Sequence, residues 1–420
     1  MLRAHAAAYL AWRGDQASLI ERRVLALLTA CRTAALGGHA WECDSCGQVR
    51  AAYNSCLNRH CPTCRGEARA KWLDGVREHL LPVPYFHVVF APPHELCLLM
   101  LANRAVLWGL LFRAAAATLL ELAADPHRLG GRIGILMVLH TWGQLMDLHP
   151  HLHCVIPGGG LSLDGTRWVS CREFFLPVQV ISALFRGKYL AGLKRLWRDG
   201  KLKLGGKLSP LANQRQFESW LSTLYKKEWV VYVQGPPAGI EGAEAVLKYL
   251  ARYVSGVAIS DRRLASHAGG RVTFRCKNYA RGGQSEPRSL PGVEFVRRYL
   301  LHVLPRGFVR IRSYGLLSNR HRARELARCR ALLGAAPSAS PEQAEATAVL
   351  KTPDAQSCAA PDPTVCPRCG RGRLQLLEYL PQPSCWQLVA RLQAASSAVR
   401  PLGGPGPGPR PRSSPIPDTS

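Results

Sequence analysis

Apolar residues follow two spacings along the chain, and each spacing predicts one kind of element. In "LIERRVLALLTACRTAAL" the apolar residues recur on one helical face, so residues 1–38 are predicted to be helical. Later runs are β-branched and apolar, as strands require. These runs predict strands at 85–91, 132–142, 151–157, 229–236 and 308–315. Helical patterns such as "EGAEAVLKYLARYVSG" lie between them, so the main body mixes strands with helices.

The most apolar stretch, residues 96–124, has the composition of one or two buried helices. Arg104, Arg113 and Glu121 interrupt it, so no run reaches the ~20 apolar residues of a membrane span. The first residues, "MLRAHAAAYLAWRGDQ", carry charges before any apolar core, which argues against a secretory signal. We therefore expect a cytoplasmic protein with no membrane partner.

Composition divides the chain into regions. Past about Gly334 it becomes rich in Ala, Pro and Ser and ends in "RPLGGPGPGPRPRSSPIPDTS". Such a segment buries too little apolar surface to fold alone. We expect a helical segment at 1–38, a cysteine-rich module at 39–75, the main domain at 76–330, and a basic, proline-rich and largely flexible region at 331–420.

The charge of the chain is strongly positive, with 55 Lys and Arg against 28 Asp and Glu and a formal net charge of +27. This excess favours a polyanionic partner. From Arg262 to Arg330 there are 17 Lys and Arg and three Glu, interleaved with aromatic residues. Cations that contact phosphates and aromatic rings that stack on bases are typical of single-strand binding. The predicted DNA-binding residues are Arg252, Arg310, Arg312, Arg320 and Arg322.

Two closely spaced cysteine pairs, Cys43-x-x-Cys46 and Cys61-x-x-Cys64, indicate a zinc site within residues 39–75. Each pair forms a tight turn with two thiolates on one ion, and two pairs complete a tetrahedron. Cys56 and His60 lie between the pairs and are alternative ligands or support for the ligands. Unrelated thiols in a cysteine-rich protein are the other reading, which two correctly spaced pairs disfavour.

A further zinc knuckle, "CPRCG", lies near the C-terminus with Cys366 and Cys369. It has no obvious second pair in the sequence. Cys358 and Cys385 are possible partners, and the pattern alone does not choose between them.

A histidine pair stands in the segment "LHPHLHCVIPGGG". His151 and His153 are two residues apart on a predicted strand, so both face the same side. His140 ends the preceding predicted strand, and a hairpin would return it beside the pair as a third ligand. Asp147 and Gln144 compete with it for that position. Such imidazoles suit a divalent metal that polarises a phosphoryl oxygen, although hydrogen-bonded core histidines remain the alternative.

A tyrosine pair lies on the helix predicted at 241–256. Tyr249 and Tyr253 are four residues apart and therefore share one helical face. Such residues are ordinarily packing residues, but beside a metal each phenol could attack a phosphodiester. A nearby cation favours the phenolate, whose free pKa is ~10. Lys248 and Arg252 flank the pair and could support the phosphate.

These residues resemble the signature of HUH endonucleases, in which a strand carries histidine–hydrophobe–histidine and a later helix carries two tyrosines. The full order is similar to the transposases of rolling-circle insertion sequences, the insertion sequence ninety-one family. The matching segments span about residues 39–322. They are "YNSCLNRHCPTC", "YFHVVFAPPHEL", "LHTWGQLMDLHPHLHCVIPGGG", "YLARYVSGVAIS" and "YGLLSNRHR".

The resemblance implies an α/β (α+β) fold in which an antiparallel sheet carries the histidines, packed helices surround it, and a small zinc-binding domain precedes it. It implies a metal-dependent transposase that nicks and joins single-stranded DNA at insertion-sequence ends. His151 and His153, with His140, would bind Mg²⁺ or Mn²⁺, and the cysteines would bind structural Zn²⁺. Tyr249 and Tyr253 would form 5′-phosphotyrosine links while releasing a 3′-hydroxyl.

Such an enzyme would act in the cytoplasm at the nucleoid, with the host replication machinery as a partner. Two other functions fit parts of the pattern. A plasmid rolling-circle replication initiator or relaxase would use the same site, but the zinc module and "YGLLSNRHR" favour a transposase. A non-catalytic zinc-dependent DNA-binding protein would require the histidines and tyrosines to be structural.

Overall fold

The fold was analysed on a computed structural model of the 420-residue chain. It describes residues 1–171, 177–235, 258–278, 281–334, 362 and 364–399, without the side chains of 65–69, 71 and 261. The predicted helix at 241–256, and with it Lys248, Tyr249, Arg252 and Tyr253, lies outside the described residues.

Helices and strands alternate through most of the described chain. The helices are α1 Leu2–Arg13, α2 Leu19–Ala30, α3 Arg65–Arg77, α4 Cys97–Ala102, α5 Arg104–Ala124, α6 Val178–Arg198, α7 Gln214–Lys226, α8 Gly292–Leu301, α9 Arg322–Leu332 and α10 Cys385–Ser397. The strands are β1 Gly38–Cys43, β2 Val49–Tyr53, β3 Tyr85–Ala91, β4 Gly131–Arg132, β5 Gly134–Trp142, β6 Leu148–Pro157, β7 Gly159–Ser162, β8 Trp168–Ser170, β9 Val230–Gln234, β10 Leu264–Ala268, β11 Arg271–Asn278, β12 Gln284–Pro291, β13 Ile311–Gly315 and β14 Leu374–Leu380.

A five-stranded antiparallel sheet in the order β13-β5-β6-β3-β9 forms the centre of the main domain. The five strands predicted from the sequence are these five, with shifted ends. Three smaller three-stranded sheets accompany it, in the orders β14-β1-β2, β10-β11-β12 and β4-β7-β8. The mixture of helices with antiparallel sheets confirms the predicted α+β class.

Strand alternation separates the two faces of the central sheet. Met137 and Leu139 of β5, and Leu152 and Cys154 of β6, belong to the main hydrophobic core together with α5 and α6. Successive side chains on a strand point to opposite faces. The intervening residues of β5 and β6, which include the predicted histidines, therefore lie on the face away from α5.

Helix α5 is the most apolar element of the chain and is long enough to cross a membrane by length and composition alone. In the fold, 67% of its most apolar window is buried. Trp108, Leu111 and Phe112 are fully buried against the sheet and α6. Its apolar surface is therefore covered by the protein's own core, as the sequence analysis expected for buried helices.

The N-terminal domain is assembled from both ends of the chain. Helix α2 begins at a capping box between Ser18 and Glu21, which satisfies amide groups that the first turn leaves open. Strand β1 pairs with β2 on one side and with β14 on the other. Helix α10 packs Leu388 and Val389 against Ala26 and Ala30 of α2.

The expectation that 331–420 is largely flexible is therefore wrong for the part of it that contains β14 and α10. Composition averaged over the region hid a short strand and a short helix. Strand β14 is held by pairing with β1, and α10 packs its apolar residues on α2; both partners lie more than 330 residues earlier in the chain.

Helix α3 leaves the N-terminal domain and packs on the central sheet. Its Val76, with Leu80 just beyond the helix, contacts Tyr85 of β3 and Val155 of β6. These two strand residues alternate with Phe86 and Ile156, so they lie on the face away from α5. The predicted boundary between 75 and 76 falls inside α3, which belongs to both units.

We predict that Gly315→Ala destabilises the fold much more than Gly307→Ala. Gly315 is the last residue of β13 and Gly307 precedes the strand; both have a positive φ, +60° and +71° respectively, which costs any other residue about 1–2 kcal/mol. A Cβ at Gly315 would also overlap the carbonyl oxygen of Ile133, whereas one at Gly307 meets nothing within 4 Å. The free energy of unfolding, measured with urea, should fall by at least about 2 kcal/mol more for Gly315→Ala. Equal losses would show that β13 does not pack at this position as described.

Candidate metal centre and nucleic-acid groove

Three histidines converge on the face of the central sheet away from α5. The β5–β6 hairpin pairs His140 with His151, and His153 follows two residues later on β6. One ring nitrogen from each lies within 4.8 Å of the others. All three side chains are buried, with 0–3% of their surface exposed. The short connection and the alternation of side chains are sufficient to produce this grouping.

Hydrogen bonding fixes the ring of His151. Its Nδ1 lies 2.7 Å from the carbonyl oxygen of His149, and because a carbonyl can only accept, Nδ1–H is the donor. The other nitrogen, Nε2, then carries a lone pair and faces His153 Nε2 at 3.1 Å. A metal-binding histidine commonly donates its second nitrogen to such a carbonyl, which sets the tautomer.

A fourth histidine, His87 of β3, supports the group from the next strand. Its Nε2 lies 2.9 Å from Nδ1 of His153, and the two rings stack with centroids 5.1 Å apart. Burial lowers the pKa of His87 to about 4, partly offset by a hydrogen bond that the imidazole donates to the side chain of Gln234. Burial, with the neighbouring His140 and His151, lowers the pKa of His153 far below its usual value. Neutral imidazoles are the form that binds metals.

Sequence reasoning missed His87. The only signal was a histidine inside the apolar run "YFHVVFA", and the sequence does not specify that this strand lies beside the His151 strand. Its separation of 66 residues from His153 gives no local hint of contact.

The two rivals for the third ligand are not part of the group. The Gln144 side-chain oxygen accepts a hydrogen bond from the backbone N–H of Lys277 at 3.2 Å, toward β11. Asp147 places no carboxylate oxygen within the 4.8 Å cluster formed by the three histidines. The geometry therefore favours His140.

The predicted tyrosines lie in a segment outside the described residues. The described residues just before and just after that segment lie near the histidine group. Gln234, near the end of the part before it, pairs with His87 across β9 and β3. Ala258, at the start of the part after it, lines a cavity together with Trp142. The ring of Trp142 stacks on His140 with centroids 4.5 Å apart.

Two adjoining cavities of about 520 and 560 Å³ run between α3 and the edge strand β13. Both are lined by Trp72, Val309 and Ile311, and together they form what we call the α3–β13 groove. Its other polar, charged and aromatic lining residues include Arg59, His60, His79, Tyr85, Thr141, Trp142, Tyr299, His302, Arg310, Arg312, Ser313, Tyr314, Asn319 and Arg322. Aromatic rings and cations thus line the same groove, and Trp142 in its lining stacks on His140.

The predicted DNA-binding arginines differ in position. Arg310 and Arg322 line the α3–β13 groove, and Arg322 donates to the side-chain oxygen of Asn319 at 3.1 Å. Arg312 also borders it, but its guanidinium lies 4.3 Å from the ring centroid of Phe112. Arg320 is exposed and lines neither cavity. Of the four predicted arginines that the structure describes, Arg310 and Arg322 are therefore the best placed to contact a bound DNA strand.

Among the residues that the structure describes, eight cysteines form two four-thiol groups, and the predicted single site is wrong in its grouping. Cys61 and Cys64 lie with Cys31 and Cys56. The pair formed by Cys43 and Cys46 instead meets a pair from the C-terminal region. That second group is Cys43, Cys46, Cys366 and Cys369.

The alternative ligands at the first group resolve in favour of Cys56. Its Sγ lies 3.7 Å from Sγ of Cys64, and Sγ of Cys64 in turn lies 3.4 Å from Sγ of Cys31. His60 is not in either group: its Nε2 accepts from the backbone N–H of Leu304 at 3.4 Å. Spacing could not reveal Cys31, which follows α2 and has no second cysteine beside it in the sequence.

Comparison with known proteins identifies the family. Residues 134–325 match the family described as "Putative transposase", and residues 1–91 match "Transposase zinc-binding domain". The chain is 46% identical over 384 residues to "Putative transposase y4qJ" of Sinorhizobium fredii, covering 90% of this chain and 95% of that protein. The chain belongs to the insertion sequence ninety-one family of transposases. It is also 29% identical over 370 residues to "Transposase for insertion sequence element IS801" of Pseudomonas savastanoi pv. phaseolicola, covering 84% and 82% of the two chains.

The family membership confirms the resemblance to these transposases that the sequence motifs indicated. No solved structure matches the chain. The zinc-binding match contains all four cysteines of the first group, and the transposase match contains His140, His151 and His153. A transposase binds DNA at the ends of its insertion sequence and cuts and transfers strands there, and we expect this one to be soluble and cytoplasmic.

We predict that His87→Ala weakens the binding of Mn²⁺ by about 10- to 100-fold, because groups that orient a metal ligand contribute that much to affinity. Affinity would be measured by calorimetry on the purified chain. His149→Ala is the matched control, because it removes an imidazole near the group but keeps the carbonyl that accepts from His151. Unchanged affinity in His87→Ala would show that His87 does not orient His153.

Proposed function

We propose that this transposase nicks and joins single-stranded DNA through 5′-phosphotyrosine intermediates formed by Tyr249 and Tyr253. The observation that carries the proposal is the convergence of His140, His151 and His153 as buried imidazoles on one sheet face. A histidine group of this kind beside a basic, aromatic groove suits chemistry on a phosphodiester.

The donor set fits a divalent metal. His151 presents Nε2 because its Nδ1 donates to His149, and His153 presents Nε2 if its Nδ1 donates to His87. His140 completes the set. When bound, Mn²⁺ or Mg²⁺ would supply polarisation of a phosphoryl oxygen. Of these two ions, Mn²⁺ accepts nitrogen ligands more readily than Mg²⁺, although both also bind oxygen ligands.

The tyrosines would supply the nucleophile. A phenol loses its proton, its oxygen bonds to phosphorus, and the bond from phosphorus to the 3′-oxygen breaks. The products are a 5′-phosphotyrosine and a free 3′-hydroxyl, and the reverse reaction joins strands without another energy source. Two tyrosines allow one to hold the first end while the other cuts a second strand. Lys248 and Arg252 would support the phosphate.

The described flanks of that segment support this assignment. Gln234 pairs with His87, which contacts His153, and Ala258 shares a cavity with Trp142, which stacks on His140. Both ends of the tyrosine-containing segment therefore join the fold next to the histidine group.

The α3–β13 groove would hold the single strand. Arg310 and Arg322 supply charge for phosphates, and the half-buried Trp72 and Trp142 supply rings on which bases can stack. Burial lowers the pKa of His79, and the positive charges of Arg322 and Arg330 lower it further. The released 3′-hydroxyl would be extended by the host replication machinery at the nucleoid, as rolling-circle transposition requires.

A covalent-adduct assay tests the chemistry. Labelled single-stranded DNA carrying the element's end is incubated with the protein and Mn²⁺ and run on a denaturing gel. We expect a shifted band that needs metal and is lost only when Tyr249→Phe and Tyr253→Phe are combined. Tyr225→Phe is the control, because Tyr225 lies on α7 and is 44% exposed.

Each other result has a definite meaning. A band that survives the double change would place the nucleophile on another residue. Absence of a band with intact DNA binding would favour the non-catalytic DNA-binding function. A replication initiator or relaxase would give the same band but would act on a plasmid origin rather than on insertion-sequence ends.

Binding in the groove gives a separate prediction. Arg310→Gln should weaken binding of a single-stranded oligonucleotide and reduce the slope of log affinity against log salt by about 0.7, the value for one lost phosphate contact. Trp72→Ala should lose about 1–3 kcal/mol with the slope unchanged, because stacking involves no counterion. Fluorescence anisotropy at several salt concentrations from about 50 to about 200 mM measures the affinity and its salt dependence for each variant. Arg198→Gln on α6, whose side chain is 75% exposed, is the control; equal effects there would contradict the groove.

A further inference from the structure

Two cysteine pairs from opposite ends of the chain meet in the N-terminal domain. Sγ of Cys43 lies 3.7 Å from that of Cys369, and Sγ of Cys46 lies 3.8 Å from that of Cys366. The pairs are separated by 320 residues in the sequence. Cys366 and Cys369 fall outside both regions that match the family descriptions.

The separations fit a tetrahedral zinc site. With Zn–S bonds of ~2.3 Å, a regular tetrahedron places its sulfurs about 3.8 Å apart. A disulfide would require ~2.05 Å. The four sulfurs therefore have the spacing of thiolates around one metal ion rather than that of cysteines joined by disulfides.

The two pairs also have the same turn. In "CDSCG" and "CPRCG" a glycine follows the second cysteine, and both glycines, Gly47 and Gly370, adopt a positive φ of +63° and +66°. The N–H of Gly47 donates to the carbonyl of Cys43 at 3.0 Å, and the N–H of Gly370 donates to the carbonyl of Cys366 at 2.9 Å. Each turn presents two thiolates to one side, as zinc knuckles do.

Contacts around the four thiols hold the second knuckle in position. The backbone N–H of Arg373 donates to the Asp44 carboxylate at 2.9 Å, and the N–H of Asp44 donates to the carbonyl of Arg373 at 3.1 Å. The N–H of Gly372 donates to Sγ of Cys369 at 3.4 Å. A Cβ at Gly372 would lie 2.5 Å from Sγ of Cys43, so only glycine fits there.

We propose that Cys43, Cys46, Cys366 and Cys369 bind a second structural zinc ion, additional to the one for which Cys31, Cys56, Cys61 and Cys64 are the ligands. This site is built from both ends of the chain. It joins the C-terminal segment 364–399 to the N-terminal domain, where β14 pairs with β1 and α10 packs on α2. The site is independent of the strand-cutting chemistry proposed above.

The decisive measurement is the zinc content of the full chain purified under reducing conditions. We expect two zinc ions per chain by elemental analysis, and one in the double variant Cys366→Ser/Cys369→Ser. Cys385→Ser is the matched control, since Cys385 lies in the same segment but in neither group, and it should keep two ions. Two ions retained in the double variant, or one ion in the unmodified chain, would overturn the proposal.

A second measurement, on the unmodified chain, tests the proposal even if the double variant Cys366→Ser/Cys369→Ser fails to fold. Cobalt added to the unmodified, zinc-free chain should bind in two equivalents, each giving the visible absorption of tetrahedral cobalt with four thiolates. When a specific protease site is introduced between 335 and 361 and cut, the fragment containing β14 should stay attached with zinc present, and chelation should release it. A single cobalt equivalent, or release of the fragment with zinc still bound, would contradict the second site.

Discussion

The candidate site depends on one constraint, the register in which β5 pairs with β6. That register sets His140 opposite His151, and the alternation of β6 adds His153 on the same side. A slip of one residue would turn every side chain of β6 to the other face. It would bury the imidazoles against α5 and expose Leu152 and Cys154, which now complete the core. The packing of the core therefore fixes the position of the proposed metal ligands.

The local features of this arrangement were accessible from the sequence. The five central strands and the hairpin between His140 and His151 follow from apolar patterns and from a separation of eleven residues. Features that depend on distant contacts were not accessible. His87 joins the group only because β3 lies beside β6, an order of strands that no local pattern specifies.

The cysteines illustrate the same limit. Spacing identifies each knuckle, because the two thiolates of a Cys-x-x-Cys turn are local neighbours. Spacing does not say which knuckles meet, and combining the two nearest in sequence gave the wrong set. The correct sets depend on the pairing of β14 with β1 and on the position of Cys31 at the end of α2. Composition likewise suggested flexibility for β14 and α10, whose apolar partners lie near the other terminus.

The pairing of β1 with β14 has a consequence for synthesis of the protein. Translation proceeds from the N-terminus, so β1, α2 and the first cysteine pairs leave the ribosome long before residues 364–399 exist. The domain that is first in the sequence is thus among the last to be completed. A nascent chain carries a finished central sheet beside an unfinished N-terminal unit, and a prematurely terminated chain never completes that unit. Assembly of the N-terminal domain is in this way coupled to synthesis of the chain through residues 364–399.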